Sequence, residues 1–214
     1  KASDGSIIVG AKKGFYYLDE GALKKISPDG KDYLSLSNTA VRDIEVISEN
    51  EIWYATFGMG LFLHNPGTFT TLNVKDGLDV GGMTFDLVKH GDKLYIATKN
   101  GLFLYQNNKI KKHYTKKDGL PSNMILDLDM DSSGNLWIAT ANGLSKLSGS
   151  VFKNYSRKDG LPSKLVTSVH VDDRDDSRIW MGSERSGLTK FDKKGFYTYA
   201  CLLYTSPSPR DGLL

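Results

Sequence analysis

Cysteine is almost missing from this chain: among 214 residues there is one, Cys201. An internal disulfide is thereby excluded, as are the paired-cysteine zinc and redox motifs. Long apolar runs are missing too, and no stretch approaches the ~18 residues that a membrane helix needs. Histidine is confined to positions 64, 90, 113 and 170, and glutamate to 20, 45, 49, 51 and 184. So few of these residues leave little material for acid–base catalysis or for chelating a metal, and neither a cofactor nor a metal is expected. Charge is not concentrated either. The 28 basic and 25 acidic residues leave +3, and the lysines fall in scattered pairs such as Lys12-Lys13, Lys24-Lys25, Lys111-Lys112 and Lys193-Lys194. Nucleic acid demands a denser basic surface, so no such partner is expected.

What the sequence does hold is glycine, at 22 positions, and tyrosine, at 11. Both favour short strands joined by tight turns. A repeat organises them. The aromatic at the centre of each apolar run stands at Trp53, Tyr95, Trp137 and Trp180, in steps of 42, 42 and 43 residues. The Gly-Leu pair that follows stands at Gly60, Gly101, Gly143 and Gly187, in steps of 41, 42 and 44. A third marker, Asp-Gly-Leu, begins at Asp76, Asp118 and Asp159, in steps of 42 and 41. Three markers sharing one period define a structural repeat.

One copy reads as four strands. Met124 to Met130 is the first, and Asp131 to Asn135 turns the chain. Leu136 to Thr140 is the second, and Asn142-Gly143 is a strong hairpin signal. Leu144 to Leu147 and Phe152 to Tyr155 complete the unit, and Lys158 to Ser163 crosses to the next copy. Four antiparallel strands in about 42 residues, without helical periodicity, are the unit of a β-propeller blade. The expectation is an all-β chain with four full four-stranded antiparallel blades (37–77, 78–119, 120–160 and 161–200) and one partial blade in 1–36. The first copy has Gly14-Phe15 for Gly-Leu and lacks its innermost strand, so the whole reads as an incomplete fragment of a larger propeller. The central aromatics should fill the wedges between blades, and the glycines at 60, 101, 143 and 187 should take positive φ. Lys109, Lys111 and Lys112 on a fourth strand should discourage edge pairing.

The last residues leave the pattern. Residues 201–211 all fit a back-translation into a transposase-derived sequencing adaptor, and 201–214 are read as read-through rather than as a domain. Cys201 then carries no functional weight.

The motif Asn135-Leu-Trp137-Ile-Ala-Thr140-Ala-Asn-Gly143-Leu144, preceded by Asp131 and followed by Asp159-Gly-Leu-Pro162, resembles the two-component regulator propeller repeat. Lys93 to Leu102 is a second copy, and Arg178 to Ser183 and Glu51 to Thr56 are weaker ones. The resemblance implies a periplasmic sensor region of a hybrid two-component histidine kinase, recognising an oligosaccharide. It also implies partners within the parent: the remaining blades, a downstream signalling module, and the membrane only through them. Two other readings stand beside it, a protein-docking scaffold and a propeller lyase or glycosidase.

Propellers bind ligands where inter-blade loops meet the turns between second and third strands. That face would carry Pro121, Ser122, Asn123, Ser163, Lys164, Lys99, Asn100, Ala141, Asn142, Glu184 and Arg185, able to hydrogen-bond sugar hydroxyls or pair with a uronate. Because Asp-Gly-Leu recurs at Asp76, Asp118 and Asp159, it reads as structural, with Asp capping the turn and Leu entering the core. Asp129 to Asn135 resembles the start of a calcium loop but has Thr140 where a bidentate Glu belongs. Asp172, Asp173, Asp175 and Asp176 read as a solvated turn. The four histidines fall at different levels of the repeat, and His170 alone should face the central channel.

Overall fold

The computed structural model describes residues 7–19, 21–25, 39–48, 50–65, 68–79, 82–184 and 186–199. Blade 1 comprises β1 (Ile7–Ala11), β2 (Gly14–Asp19) and β3 (Ala22–Lys25). Blade 2 comprises β4 (Ala40–Ser48), β5 (Glu51–Phe57), β6 (Leu61–Asn65) and β7 (Thr68–Leu72). Blade 3 comprises β8 (Thr84–His90), β9 (Lys93–Thr98), β10 (Gly101–Gln106) and β11 (Lys109–Tyr114). Blade 4 comprises β12 (Ile125–Met130), β13 (Leu136–Thr140), β14 (Gly143–Ser148) and β15 (Val151–Tyr155). Blade 5 comprises β16 (Val166–Val171), β17 (Ile179–Ser183), β18 (Gly187–Asp192) and β19 (Gly195–Tyr199). Every sheet runs antiparallel in chain order, and the first strands β4, β8, β12 and β16 neighbour one another in turn. Blade 1 has strands two to four of the repeat, with β1 against β4. The expected all-β stack of propeller blades is what forms. Among the described residues no helix is long and apolar enough to cross a membrane.

The core lies between blades, as stacked two-faced sheets require. Trp53, Leu61 and Leu78 of blade 2 and its exit loop meet Leu87, Ile96 and Phe103 of blade 3. Ala97, Leu102 and Leu120 likewise meet Ile125, Leu136 and Ile138, with Tyr95 packed against them. Trp137, Leu144 and Leu161 meet Val166, Ile179 and Met181. The second-strand aromatics Trp53, Tyr95 and Trp137 thus fill the wedges toward the next copy. Blade 5 shows what happens where that copy is absent. Leu102 and Leu144 are fully buried, yet the equivalent Leu188 is 47% exposed. Tyr114 and Tyr155 are 9% and 8% exposed, but Tyr199 is 51% exposed. Among the described residues the stack is open at blade 5.

Local chemistry closes the turns. Thr98 and Thr140 donate their hydroxyls to the carbonyls of Gly101 and Gly143 at 2.8 Å, and each accepts the N–H of the following Asn at 3.1 Å. That explains the recurrent Thr-x-Asn-Gly. Gly143 has φ 117°, and a Cβ there would stand 2.5 Å from the carbonyl oxygen of Tyr155. Only glycine meets both demands. Gly60, Gly101 and Gly187 also take positive φ. On β11, Lys109, Lys111 and Lys112 are exposed along the outer edge.

Candidate functional site

The loop face is assembled from the inter-blade crossings. Among the described residues the crossings after blades 2, 3 and 4 each contain one turn of 3-10 helix, at Val74–Asp76, Lys116–Asp118 and Arg157–Asp159. Asn73, Thr115 and Ser156 cap these turns, while Asp76, Asp118 and Asp159 accept the cap residue's N–H at 2.9, 2.8 and 2.8 Å. Gly77, Gly119 and Gly160 then adopt φ of 85°, 112° and 94°, and Leu78, Leu120 and Leu161 plug the core at 0–3% exposure. These reciprocal caps hold the carboxyls of Asp118 and Asp159 below the usual carboxylate range, because the hydrogen bonds favour the carboxylate. The recurrent Asp-Gly-Leu is therefore spent on building loops.

Several of the polar residues on this face are spent in the same way. Asn142 donates Nδ2 to the carbonyl of Pro121 at 3.2 Å, and Asn100 donates to Asp79 while its own carbonyl meets His113 Nε2 at 2.8 Å. Asn123 Oδ1 accepts from Lys116 N at 2.8 Å, and Ser122 Oγ from Met124 N at 3.1 Å. Ser163 is 9% exposed and donates to the carbonyl of Leu165. Backbone bonds from Ala141 to Met124 and from Gly143 to Lys164 draw the 121–124, 141–143 and 163–164 loops together. The side chains of Lys99, Lys164 and Glu184 are exposed there, and Arg185 lies outside the described residues, as do residues 1–6, 26–38 and 201–214 with Cys201.

The calcium-like stretch has a different task. Asp131 is 4% exposed and accepts from Asn135 N and Nδ2 at 2.8 Å, from Trp137 Nε1 at 3.3 Å and from Lys146 Nζ at 3.0 Å. Its carboxylate is saturated by its own blade. Asp172 accepts Trp180 Nε1 at 3.3 Å in the equivalent turn, Asp175 pairs with Arg178 at 3.0 Å, and Asp176 bonds Ser132 of the preceding blade. The acidic turn is therefore a bonded structure rather than a merely solvated one. Among the described residues no three His, Cys, Asp or Glu group so as to hold a metal ion.

The axial wall carries a feature that motif reading missed. Asp43, Asp86 and Asp127, one per innermost strand, accept backbone N–H groups of the next blade's innermost strand. The bonds run from Leu87 at 3.0 Å, Leu128 at 2.7 Å and Val169 at 2.7 Å. Glu45 and Asp129 do the same for Lys89 at 3.2 Å and Val171 at 2.7 Å. A register irregularity immediately precedes Asp43, Asp86 and Asp127, which re-aims each side chain toward the neighbour. The carboxylates thus satisfy the otherwise open strand edge. Asp86 is the most perturbed: burial, then the charges of Asp43 and Asp127, push its carboxyl up to about 9. Asp43 and Asp127 are also raised, chiefly by burial. The signal was present in the sequence, since 43, 86 and 127 keep the repeat period. His170, on innermost strand β16, has Nδ1 3.0 Å from Asp129 Oδ2 and a 60% exposed side chain.

Comparison with known proteins agrees with this architecture. Over 94% of its length the chain is similar to the extracellular domain of BT3049 from B. thetaiotaomicron, described as a hybrid two component system, with TM-score 0.78 and 20% identity. The extracellular domain of BT4673 from the same organism, also described as a hybrid two component system, gives 0.75 and 21% over 94% of the chain. The chain spans only 28% and 26% of those two proteins' resolved chains. Virginiamycin B lyase from Staphylococcus aureus is a more distant likeness, with TM-score 0.61 and 14% identity over 79% of this chain and 56% of that one. No curated protein matches the chain in sequence. The two component regulator propeller family matches residues 119–142, the crossing and first two strands of blade 4. Residues 119–142 thus match the two component regulator propeller repeat, and they lie in an open run of propeller blades.

Proposed function

We propose that this chain is the ligand-sensing part of an extracytoplasmic, periplasm-facing receptor in two-component signalling, and that it recognises an oligosaccharide. It binds rather than catalyses. One observation carries the reading: a repeat of that family lies in blades whose fold matches extracellular domains described as hybrid two component systems. Lys99, Lys164 and Glu184 supply exposed polar groups on the loop face, with Asn123 beside them and His170 on the axial wall. Their hydrogen-bonding character suits hydroxyl-rich ligands. Binding would alter how the blades pack on the rest of the receptor, and a downstream signalling module would read that change. Titration calorimetry of the full-length polypeptide with a panel of neutral and acidic oligosaccharides tests this. The expected result is heat with at least one glycan, diminished by Lys164→Ala with Glu184→Ala. Absence of heat across the whole panel refutes the reading.

A further inference from the structure

At the end opposite the loop face, between blades 2 and 3, the sheets leave a cavity of about 550 Å³. That lies within the roughly 300–1,000 Å³ of small-molecule sites. Both flanking blades are complete, so the cavity is not a product of the open end of the stack. Its origin is a local departure from the repeat. In blade 4 the indole equivalent to Trp53 is covered by Asp131, from a five-residue turn, and by the ammonium of Lys146, 4.8 Å above the Trp137 ring. In blade 3 the turn shrinks to Gly91-Asp92, and in blade 2 Leu63 stands where blade 4 has Lys146. Trp53 turns its indole N–H instead to Glu51, at 3.0 Å.

The lining divides by chemistry. Trp53, Leu94 and Tyr105 form an apolar floor, the two rings meeting edge-on at 5.1 Å between centroids. Lys89, Lys93, Asn107 and Asn108 stand on the rim. The rim acids are already engaged: Glu51 accepts from Trp53, and Asp92 accepts from Gln106 at 2.8 Å. Among the described residues neither Lys89 nor Lys93 forms a close ion pair, and only the more distant charge of Glu45 acts on Lys89. The rim therefore offers ammonium and amide donors above an aromatic floor. Donors of that kind select an anion, and a half-buried tyrosine ring offers its face to the C–H side of a sugar ring.

The geometry points to a second recognition site here, taking a saccharide unit that bears a carboxylate or sulfate. The inference shares with the preceding reading only that the receptor binds glycans; it places one of them at a different end of the propeller. Blade 4 supplies fold-compatible replacements at the equivalent positions, namely Lys89→Met, Lys93→Asn and Tyr105→Leu. The test is calorimetry of the full-length polypeptide with digalacturonate, a sulfated disaccharide and a neutral disaccharide, each variant first matched to the parent by circular dichroism. An acidic disaccharide should bind at least about tenfold more tightly than the neutral one. The Lys89→Met/Lys93→Asn pair should abolish that preference, whereas Lys164→Ala with Glu184→Ala should leave it intact. If the loop-face variant removes acidic-sugar binding and the cavity variants do not, the cavity assignment fails while the sensing role stands. If neither acidic disaccharide binds, the cavity assignment fails, and neutral-glycan heat then decides the broader role separately. Digalacturonate and the sulfated sugar compared side by side identify which anion the lysines favour.

Discussion

Replacing Asp86 with Asn should stabilise the protein near neutral pH, and the axial carboxylates say by how much. The Asp86 carboxyl faces Asp43 on β4 and Asp127 on β12, and accepts Leu128 N at 2.7 Å; Glu45, Asp129 and Lys89 are the next charges along the same wall. In the unfolded chain an aspartate ionises near its ordinary value of 3.8, whereas the folded carboxyl holds its proton to about 9. Between those limits the folded state binds the extra proton, so stability is full below the lower limit and declines as pH rises toward the upper one. At about 1.4 kcal/mol per pH unit, a protein at pH 7 stands roughly 4 kcal/mol below its acid limit as a ceiling. Solvent along the channel and proton sharing with Asp43 and Asp127 reduce this to about 1–2 kcal/mol. Asn keeps an acceptor for Leu128 N and offers its amide N–H to Asp43, so it mimics the protonated acid. Urea unfolding at pH 7, 8 and 9 is the assay. His64, whose burial lowers its affinity for a proton, is already neutral in that window. The parent should weaken from pH 7 to 9 while Asp86→Asn stays nearly flat and is more stable throughout. A parent that gains stability over this range, or an Asn variant weaker than the parent at pH 8, would refute the reasoning.

Three further outcomes follow from the packing. Leu120→Ala removes the plug of a crossing loop and should cost about 2–4 kcal/mol in chemical denaturation, with no change in far-UV circular dichroism of the folded state. Gly143→Ala forces a side chain against the Tyr155 carbonyl at φ 117° and should lower the melting temperature, while Gly149→Ala, also at positive φ but with open space around it, should cost less. Asp131→Ala strands Lys146, Asn135 and Trp137 together and should destabilise by roughly 3 kcal/mol. Calcium or a chelator should leave the parent's melting temperature unchanged, and a shift with calcium would show that Asp131 is a ligand after all.

Much of this fold was legible because the blade is a local unit. Trp53, Tyr95, Trp137 and Trp180 mark the second strands by spacing alone, and the Asn-Gly and Asp-Gly turns fix where the chain reverses. The site was less legible because side-chain destinations are not periodic in the same way. Asn100 and Asn142 look like ligand donors in sequence, yet their turns need those amides to hold neighbouring loops. Asp86 looks like an ordinary strand residue until the next blade brings Leu128 N to it, 42 positions away. The cavity beside Trp53 arises from a deletion in a turn, which reads as variation rather than as a vacancy.

The axial links among the described residues all reach forward, from a blade's acid to its successor's backbone. Shortening the propeller is therefore not symmetric in its effects. Removing blades from the C-terminal side releases carboxylates into water, where they ionise and repel other molecules. Removing them from the N-terminal side strips an innermost strand of its acceptors and leaves amide groups ready to pair with any passing β-strand. Soluble deletion series should accordingly be trimmed from the C-terminal end.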